Sequence, residues 1–385
     1  MLMLEKAIVG SRRYWTWLLF LLVVVLLGFV SYRVQLAHGL VITGLSRDVS
    51  WGLYIAQFTF LVGIAASAVT VVLPYYLHHN QQFAKLTILG EFLAISAITM
   101  CLLFVMVDMG QPTRVLNVLR YPSPRSLMFW DLISLGGYLV LNAVIALHTL
   151  SAERNRTASP SWLRPLIILS IPWAVSIHTV TAFLYSGLPG RPFWLTAILA
   201  PRFLASAFAS GPALLLLLCL LLRRFTTFDV GREPIQKLGI IVTYAMTVNL
   251  FFFAVELFTA FYSRIPEHMH AFEYLFIGLD GRAQLAPWMW LSTLLAVVSL
   301  VVLLVPKMRA RESVLAAACA GVFLSLWLEK GLCLVVCGFI PNAMGAVMPY
   351  QPTAPESLIV LGIWAFGSFM ITIFYRITVA VREAE

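Results

Sequence analysis

Long apolar runs dominate the chain, and short polar stretches rich in proline, glycine and arginine separate them. A membrane-crossing helix needs about 20 predominantly apolar residues, and ten runs reach that length. Each run is predicted to be helical, because lipid offers no partner to exposed backbone groups. The predicted spans cover residues 15–36, 51–77, 85–107, 127–150, 162–185, 203–222, 234–262, 287–306, 312–340 and 356–381.

The connections between these runs support the boundaries. Proline and glycine cluster in "GQPTRVLNVLRYPSPRS", "SGLPGRPFW" and "GFIPNAMGAVMPYQPTAPE", and such clusters mark turns and loops. No soluble domain or low-complexity linker interrupts the series. We therefore predict an all-α, polytopic membrane protein with ten transmembrane helices that forms one integral membrane domain over residues 1–385.

Composition and charge agree with a membrane protein and give an orientation. Of the 385 residues 61% are hydrophobic and only 11% are charged, a balance that excludes a water-soluble domain. The net charge of +9 comes from basic residues in short loops, so the predicted partner is the lipid bilayer and not nucleic acid. The side that holds both termini carries sixteen of the 26 Lys and Arg residues. This side is predicted to be cytoplasmic, with the protein in the cytoplasmic (inner) membrane.

Titratable residues within the spans gather in the outer half of the membrane. A charge in the hydrocarbon layer costs about 2.5–3.5 kcal/mol, so each of these residues is a candidate for function. At a rise of 1.5 Å per residue they lie within about 9–17 Å of the outer surface or at the outer ends of their spans. The outer group is Asp108, Asp131, His178, Glu256 and Glu329, whereas only Glu91 is conspicuous in the inner half.

This asymmetry favours a site that handles protons and a hydrophobic substrate near one face, because a pore carries polar groups along its whole depth. His178, Thr181 and Tyr185 share one face of the fifth span, and Trp51, Tyr54 and Gln57 form a similar stripe at the outer start of the second span. An aromatic wall with a hydroxyl and an amide suits a quinone ring. The predicted quinone contacts are Trp51, Tyr54, Gln57, Asp131 and His178. The predicted proton relay is Asp108, Glu256, Glu329 and Glu91.

Each of these residues also has a structural interpretation. His178 can be a purely structural, interhelical hydrogen-bond partner, and Trp51 and Tyr54 can be membrane-interface residues. Glu329 and Lys330 are about 100° apart on an α-helix and face different neighbours. We predict that Glu329 exchanges protons and that Lys330 forms a structural ion pair with a carboxylate on another span. Two functions from other classes stay open: a secondary transporter or proton channel, and a passive membrane anchor for extrinsic redox subunits.

The sequence predicts no metal centre in this chain. Its five cysteines lie in apolar runs and form no CxxC pair, whereas iron–sulfur ligation needs clustered thiolates. Six of the seven histidines, including His78 and His79, lie in or beside loops or near a span end, which leaves His178 alone inside a span. A haem held by two histidines is therefore not expected.

Two stretches, "WGLYIAQFTFLVGIAASA" and "VDMGQPTRVLNVLRYPSPRSLMFWD", carry recognisable motifs. The first resembles the opening signature of the NrfD/PsrC family, the membrane subunits of polysulfide-reductase-like complexes, and the second resembles the family's Asp-x-Gly-x-Pro-x-Arg loop and fourth span. "RPFWLTAILAPRFLASAFASGPALL", "VNLFFFAVELFTAFY" and "WLEKGLCLVVCGFIP" resemble the ten-helix branch that includes DsrP and the HybB-like hydrogenase subunit, with DsrP the nearer. The motif positions are Trp51, Gly52, Tyr54, Asp108, Gly110, Pro112, Arg114 and Asp131.

The resemblance implies a function for the chain. Members of the family lack haem, flavin and iron–sulfur clusters of their own and exchange electrons between membrane quinone and an extracytoplasmic, ferredoxin-like iron–sulfur subunit. Their quinone pocket lies near the outer face. The resemblance therefore implies menaquinone as the bound substrate of a respiratory redox complex, and proton translocation is compatible with it. The DsrP-like branch adds sulfur metabolism, with a multihaem cytochrome c and a haem-b membrane subunit as neighbours.

Overall fold

The computed structural model describes residues 10–73, 75, 83–342 and 344–382. Ten of its helices are long and apolar enough to cross a membrane, as the sequence predicted. Across the described ranges the only β-type pairing is an isolated bridge between Leu279 and Arg282. The end of the predicted second span, residues 74 and 76–77, lies outside the described residues, as do His78 and His79. The ten helices are α1 (Arg12–His38), α2 (Leu53–Val72), α3 (Lys85–Asp108), α4 (Leu127–Asn155), α5 (Leu163–Ser186), α6 (Leu199–Phe225), α7 (Arg232–Ser263), α8 (Ala286–Leu304), α9 (Glu312–Cys337) and α10 (Ala354–Arg382).

The helix bounds differ from the prediction mainly at polar or proline-containing ends. Helix α6 begins at Leu199 and not at residue 203, because Pro201 is tolerated in the first turn of a helix. This shift places Arg202 inside α6. Helix α4 continues through the polar residues 151–155 and ends where Arg156 adopts a left-handed conformation, with φ of 53°.

The ten helices pack as two groups with one pair at their side. Helices α2–α5 form one group and α6–α9 the other, and α2 joins them by packing on α6 and α9. Helices α1 and α10 pack together, and α10 also contacts α3. We call the end of the bundle at which α1, α3, α5, α7 and α9 end the distal end, and the opposite end the proximal end.

Helix α2 is the centre of the molecule. The most apolar part of α2 is completely buried within the protein, whereas only 28% of the most apolar part of α1 is buried. The helix is broken at Ala66, and Gly211 of α6 packs against the break, where a Cβ atom would lie 3.0 Å from the backbone nitrogen of Ser67. A central helix with neighbours on every side has no lipid-facing surface, so all its polar groups need partners within the protein.

Helix α9 changes its winding where it passes α2. Residues Trp327–Cys333 are π-helical, between α-helical turns on either side. Gly331 lies against α2, where a Cβ atom would be 3.1 Å from the carbonyl oxygen of Ala56. Short π-helical segments are frequent at functional sites, and this one carries both Glu329 and Lys330.

Helices α1 and α10 cross at two glycines. A Cβ atom on Gly28 would lie 2.7 Å from Cα of Gly362, and a Cβ atom on Gly362 would lie 2.8 Å from Cα of Gly28. Gly→Ala normally stabilises a helix by about 1 kcal/mol. We expect Gly28→Ala to lower the melting temperature of the purified protein, because the helices must separate. Gly136→Ala in α4 is the control, since no atom lies within 4 Å of its Cβ position. Equal melting temperatures for the two variants would contradict the close crossing.

Candidate functional site

A buried arginine joins two of the predicted relay carboxylates. Arg202, in the first turn of α6, is paired through one terminal nitrogen with Glu256 of α7 and through the other with Glu329 of α9. All three side chains are at least 90% buried. The guanidinium also lies over the ring of Phe253, 4.9 Å from its centroid. Sequence reasoning missed Arg202 because it placed the residue in a loop.

Lys330 does not form the predicted ion pair. Among the described residues no carboxylate lies within 4 Å of its ammonium, because Arg202 pairs with the nearby carboxylates. The ammonium donates instead to the carbonyl oxygen of Phe203 at 3.3 Å and lies 4.4 Å from the centroid of that ring. It also packs on Gly63 of α2, where a side chain would be in tight contact with it. The prediction was wrong because it did not place Arg202 in a span, and this arginine pairs with the carboxylates of Glu256 and Glu329.

An aromatic cluster lies at the distal end, between the start of α2 and the end of α5. Trp51 stacks on Trp194 at 5.7 Å and meets Tyr185 edge-on at 5.3 Å. Phe339 packs edge-on against Trp51 and Trp194, at 5.8 and 5.2 Å. Trp194, Tyr185 and Phe339 are buried, whereas Trp51 is half-buried. The cluster therefore offers one partly accessible indole face backed by three enclosed rings.

The polar stripe predicted on α5 is present and reaches α4. Thr181 donates a hydrogen bond to Asp131 Oδ1 at 2.8 Å. His178, one turn earlier on the same helix, is completely buried, and neither ring nitrogen has a hydrogen-bond partner in the described part of the chain. Tyr185, one turn later, is hydrogen-bonded to Thr59 of α2. A buried polar group without a partner costs free energy comparable to a lost hydrogen bond.

Two aromatic residues bring these groups together. The ring of Tyr185 contacts that of Phe203 at 5.9 Å, and Phe203 in turn carries the Lys330 ammonium. Phe203 directly follows Arg202 in α6, so the aromatic cluster, the α5 stripe and the arginine trio adjoin one another. A small cavity lies beside the trio and is lined by Phe193, Arg202, Phe253, Phe272, Leu275, Met289, Glu329, Cys333 and Leu334.

The structure separates Tyr54 and Gln57 from Trp51. The Tyr54 hydroxyl donates to Gln35 of α1 at 2.6 Å, and Gln57 Oε1 accepts from the indoles of Trp327 and Trp364 at 2.8 and 2.9 Å. Trp51, which precedes α2, and Tyr54 and Gln57 within it therefore have different neighbours. The hydrogen bonds of Tyr54 and Gln57 hold α2 in place against α1, α9 and α10.

Asp108 lies next to the Tyr54 bridge. Gln35 Nε2 donates to the carbonyl oxygen of Val107 at 2.7 Å, at the distal end of α3, and Asp108 is the following residue. Its Oδ1 atom is buried and has no partner among the residues that the structure describes. The remaining relay candidate, Glu91, lies fully buried in the proximal half of α3, also with one unpartnered carboxylate oxygen. The structure thus does not place Glu91 or Asp108 in contact with the arginine trio.

The motif residues occupy two distal segments. Gly52 packs against the ring of Tyr350 and has no room for a side chain. The Tyr350 hydroxyl accepts from the backbone nitrogen of Leu53 at 2.6 Å and donates to the buried Glu356. Burial and the Glu356 carboxylate raise the pKa of Tyr350, so its hydroxyl keeps the proton that it donates. Gly110, Pro112 and the exposed Arg114 form the loop after α3, with Pro112–Arg114 in a short 3-10 helix.

No metal centre is evident in the part of the chain that the structure describes. No group of three or more His, Cys, Asp or Glu side chains there could hold a metal ion. The five cysteines are buried and free. The groups that the described residues bring together at this site can stack on a flat ring, form hydrogen bonds to it, and hold or transfer protons.

Comparison with known proteins finds a family model and several relatives that are by name subunits of reductases or oxidoreductases. A family model described as "Polysulphide reductase, NrfD" matches residues 41–343. A putative membrane subunit of dimethyl sulfoxide reductase from Halobacterium salinarum is 28% identical, over 93% of this chain and 89% of its own length. A selenate reductase subunit from Mesobacillus selenatarsenatis is 23% identical, over 89% and 85%. An Hdr-like menaquinol oxidoreductase integral membrane subunit from Archaeoglobus fulgidus is 26% identical, over 69% and 65%.

Proposed function

The chain belongs to the polysulphide reductase NrfD family of membrane proteins, and on this premise we propose that it is the quinone-reactive membrane subunit of a respiratory redox complex. It exchanges electrons between menaquinone or menaquinol and an iron–sulfur subunit bound at the distal end. The observation that carries the proposal is His178, whose two ring nitrogens are buried without partners one turn from the Asp131–Thr181 hydrogen bond. One relative is by name a menaquinol oxidoreductase subunit, which supports menaquinone as the substrate.

The head group is bound between the aromatic cluster and the polar stripe of α5. Trp51 offers a ring face for stacking, and Asp131 and His178 supply polar groups for the two quinone oxygens. Tyr54 and Gln57 serve in the wall behind the site, because their side chains are hydrogen-bonded to other helices. The contacts proposed for the substrate are therefore Trp51, Asp131 and His178.

Proton transfer accompanies each oxidation of quinol. A quinol that becomes a quinone releases two electrons and two protons; the electrons pass to the iron–sulfur partner and the protons to acceptors in this chain. Asp131 and His178 take the protons first, and Glu329 and Glu256 pass them on across Arg202. Asp108 lies at the distal end of α3 and Glu91 in its proximal half. They are therefore the candidates for proton exchange with the two membrane surfaces.

Partner and orientation follow from the same proposal. The distal end is extracytoplasmic, both termini are cytoplasmic, and the loops after α3, α5 and α7 dock the ferredoxin-like subunit. A chain that cannot hold single electrons needs such an acceptor close to the substrate. If the DsrP-like resemblance is correct, a multihaem cytochrome c and a haem-b membrane subunit belong to the same complex, which then acts in sulfur metabolism.

Quinol titration of the purified native complex tests the function. Membrane quinol should reduce the partner's clusters, as followed by electron paramagnetic resonance, and quinone should be extracted from the purified complex. A transporter or proton channel would carry ions without cluster reduction. A passive anchor would bind the partner and leave its clusters unaffected by quinol. Either result would contradict the proposal.

Replacing Asp131 tests the proposed head-group contact. Asp131→Asn keeps an oxygen that accepts from Thr181 and removes only the charge. Hydrogen bonds to charged groups contribute about 1.5–3 kcal/mol, so we expect kcat/KM for quinol to fall at least about 10-fold. Asp229→Asn, at an exposed position in the proximal loop between α6 and α7, is the matched control and should leave the rate unchanged. Wild-type kinetics for Asp131→Asn would remove this residue from the site.

A further inference from the structure

Arg191 is fixed at the distal edge of the aromatic cluster by its own loop. It follows Gly190, whose φ of 73° turns the chain after α5, and precedes the short 3-10 helix Pro192–Trp194. Glycine is the residue that adopts this φ without strain. Because Trp194 is completely buried and its indole donates to the carbonyl oxygen of Leu334 at 3.0 Å, the segment that carries Arg191 is anchored to α9.

The guanidinium covers one ring of the cluster. Its central carbon lies 4.4 Å from the centroid of Phe339, which is the usual arrangement of a cation over an aromatic face. Phe339 itself contacts both Trp51 and Trp194. Arg191 and the half-buried Trp51 therefore share Phe339 as a neighbour, which places the guanidinium at the same end of the cluster as the indole.

One donor of this guanidinium has no acceptor. The terminal nitrogen Nη1 is buried and has no hydrogen-bond partner within the described ranges of the chain. Asp48 acts on Arg191 through space but lies beyond ion-pair distance, and its Oδ1 accepts from Asn342 at 2.9 Å. Burial lowers the pKa of Arg191 and Asp48 opposes that effect, yet an arginine keeps its charge in proteins. An unpaired buried donor is costly, so we expect an oxygen from outside the chain, of water or of a bound molecule, to accept from Nη1.

The neighbouring rings define which oxygen fits. A quinone head group is flat, stacks on an indole and carries its two oxygens in the plane of the ring, where an N–H at the edge of the stack can reach them. A phospholipid phosphate offers oxygens but no ring for Trp51, and a carboxylate of a protein partner likewise leaves the indole face uncovered. We propose that Arg191 donates a hydrogen bond to an oxygen of the quinone bound against Trp51. This inference rests on the proposed quinone function and adds a binding residue to it.

Quinone affinity of variants of the native complex tests the inference. Loss of a hydrogen bond from a charged donor should weaken binding of a menaquinone analogue by about 10-fold to 100-fold in Arg191→Gln. Arg191→Lys keeps the charge without the planar donor set, so its affinity for the analogue should lie between those of the wild type and Arg191→Gln. Arg164→Gln is the control, because Arg164 is exposed at the proximal start of α5, away from the loops proposed to dock the partner. The melting temperature, measured alongside, shows whether each variant is folded.

A second measurement needs no variant. Phenylglyoxal modifies accessible arginines, and mass spectrometry of the wild-type complex locates the modified residues. Bound menaquinone analogue should protect Arg191 and leave the exposed Arg164 reactive. Protection by added phospholipid alone, or by the iron–sulfur subunit alone, would assign Arg191 to a lipid phosphate or to a protein carboxylate and overturn the inference.

Failure of the inference can be told apart from failure of the function. If the wild-type complex binds the analogue and Arg191→Gln binds it equally well, the arginine has no part in a working quinone site. If the wild-type complex itself binds no quinone, the proposed function is wrong and the inference falls with it. Weakened binding in Arg191→Gln, with an unchanged melting temperature and an unchanged Arg164→Gln control, supports the inference.

Discussion

Arg202→Leu is expected to prevent accumulation of the folded protein. The substitution removes the one guanidinium that pairs with both Glu256 and Glu329 and leaves two buried carboxylates without a counter-ion. Removal of one partner from a buried ion pair costs about 3–5 kcal/mol, a large part of the stability of a typical protein. The yield of monodisperse protein in mild detergent measures the effect.

Two further variants show whether charge is the cause. Arg223→Leu is the control, because Arg223 and Glu312 form a comparable pair near the proximal end, with side chains about 30% exposed, where such pairs contribute about 0–1 kcal/mol. Arg202→Leu combined with Glu256→Gln and Glu329→Gln removes the buried charges and should recover folded protein without recovering quinol turnover. A normal yield for Arg202→Leu alone would show that the trio is not a charged group.

Glu329→Gln is expected to slow quinol turnover about 100-fold while the complex still assembles. General acid–base groups contribute 10²- to 10⁴-fold to enzymatic rates, and glutamine cannot carry a proton between partners. Its amide oxygen can still accept from Arg202, and the Arg202–Glu256 pair remains as the counter-charge. Turnover is measured as quinol-dependent reduction of the partner's clusters.

The control for Glu329→Gln lies on the same helix. Glu312→Gln makes the same change at the proximal end of α9, where Glu312 pairs with Arg223, and it should leave turnover unchanged. A wild-type rate for Glu329→Gln across pH 6–8 would mean that Glu329 is a structural partner of Arg202 and that the relay follows another route.

The helices could be predicted from the sequence, because lipid imposes length and apolarity on each span. Ten predicted spans correspond to ten helices. The error with the largest consequence was four residues at the start of α6. A rule based on apolar runs assigns a charged residue at the edge of a run to the loop, and Arg202 was lost in this way. The apolar residues Leu199 and Ala200 before it, followed by a proline tolerated in a first turn, were the available signal.

Side-chain partners were less predictable than helices. The face formed by His178, Thr181 and Tyr185 was read correctly from α-helical spacing, since α5 is regular there and all three are buried. The stripe of Trp51, Tyr54 and Gln57 was divided among different neighbours, because a helix buried on all sides has no single functional face. Sequence periodicity tells which residues share a face, and it cannot tell how many helices surround that face.

The partners of Glu329 and Lys330 could not be predicted from α-helical spacing alone. Spacing along an α-helix predicted different neighbours for the two residues, which is correct, but it gave the carboxylate partner to the lysine. The π-helical segment Trp327–Cys333 instead presents Glu329 to Arg202 and Lys330 to the Phe203 carbonyl. Nothing in the composition of this segment announces the change of winding.

The complete burial of α2 sets an order for biogenesis. This helix leaves the ribosome early, but the indoles that donate to Gln57 belong to residues 270 and 307 positions later. Until α9 and α10 have been inserted, the nascent chain must keep the amide of Gln57 away from lipid by provisional contacts, with α3 the nearest helix already made. Helix α2, at the centre of the molecule, is thus synthesised before the helices that complete its surroundings.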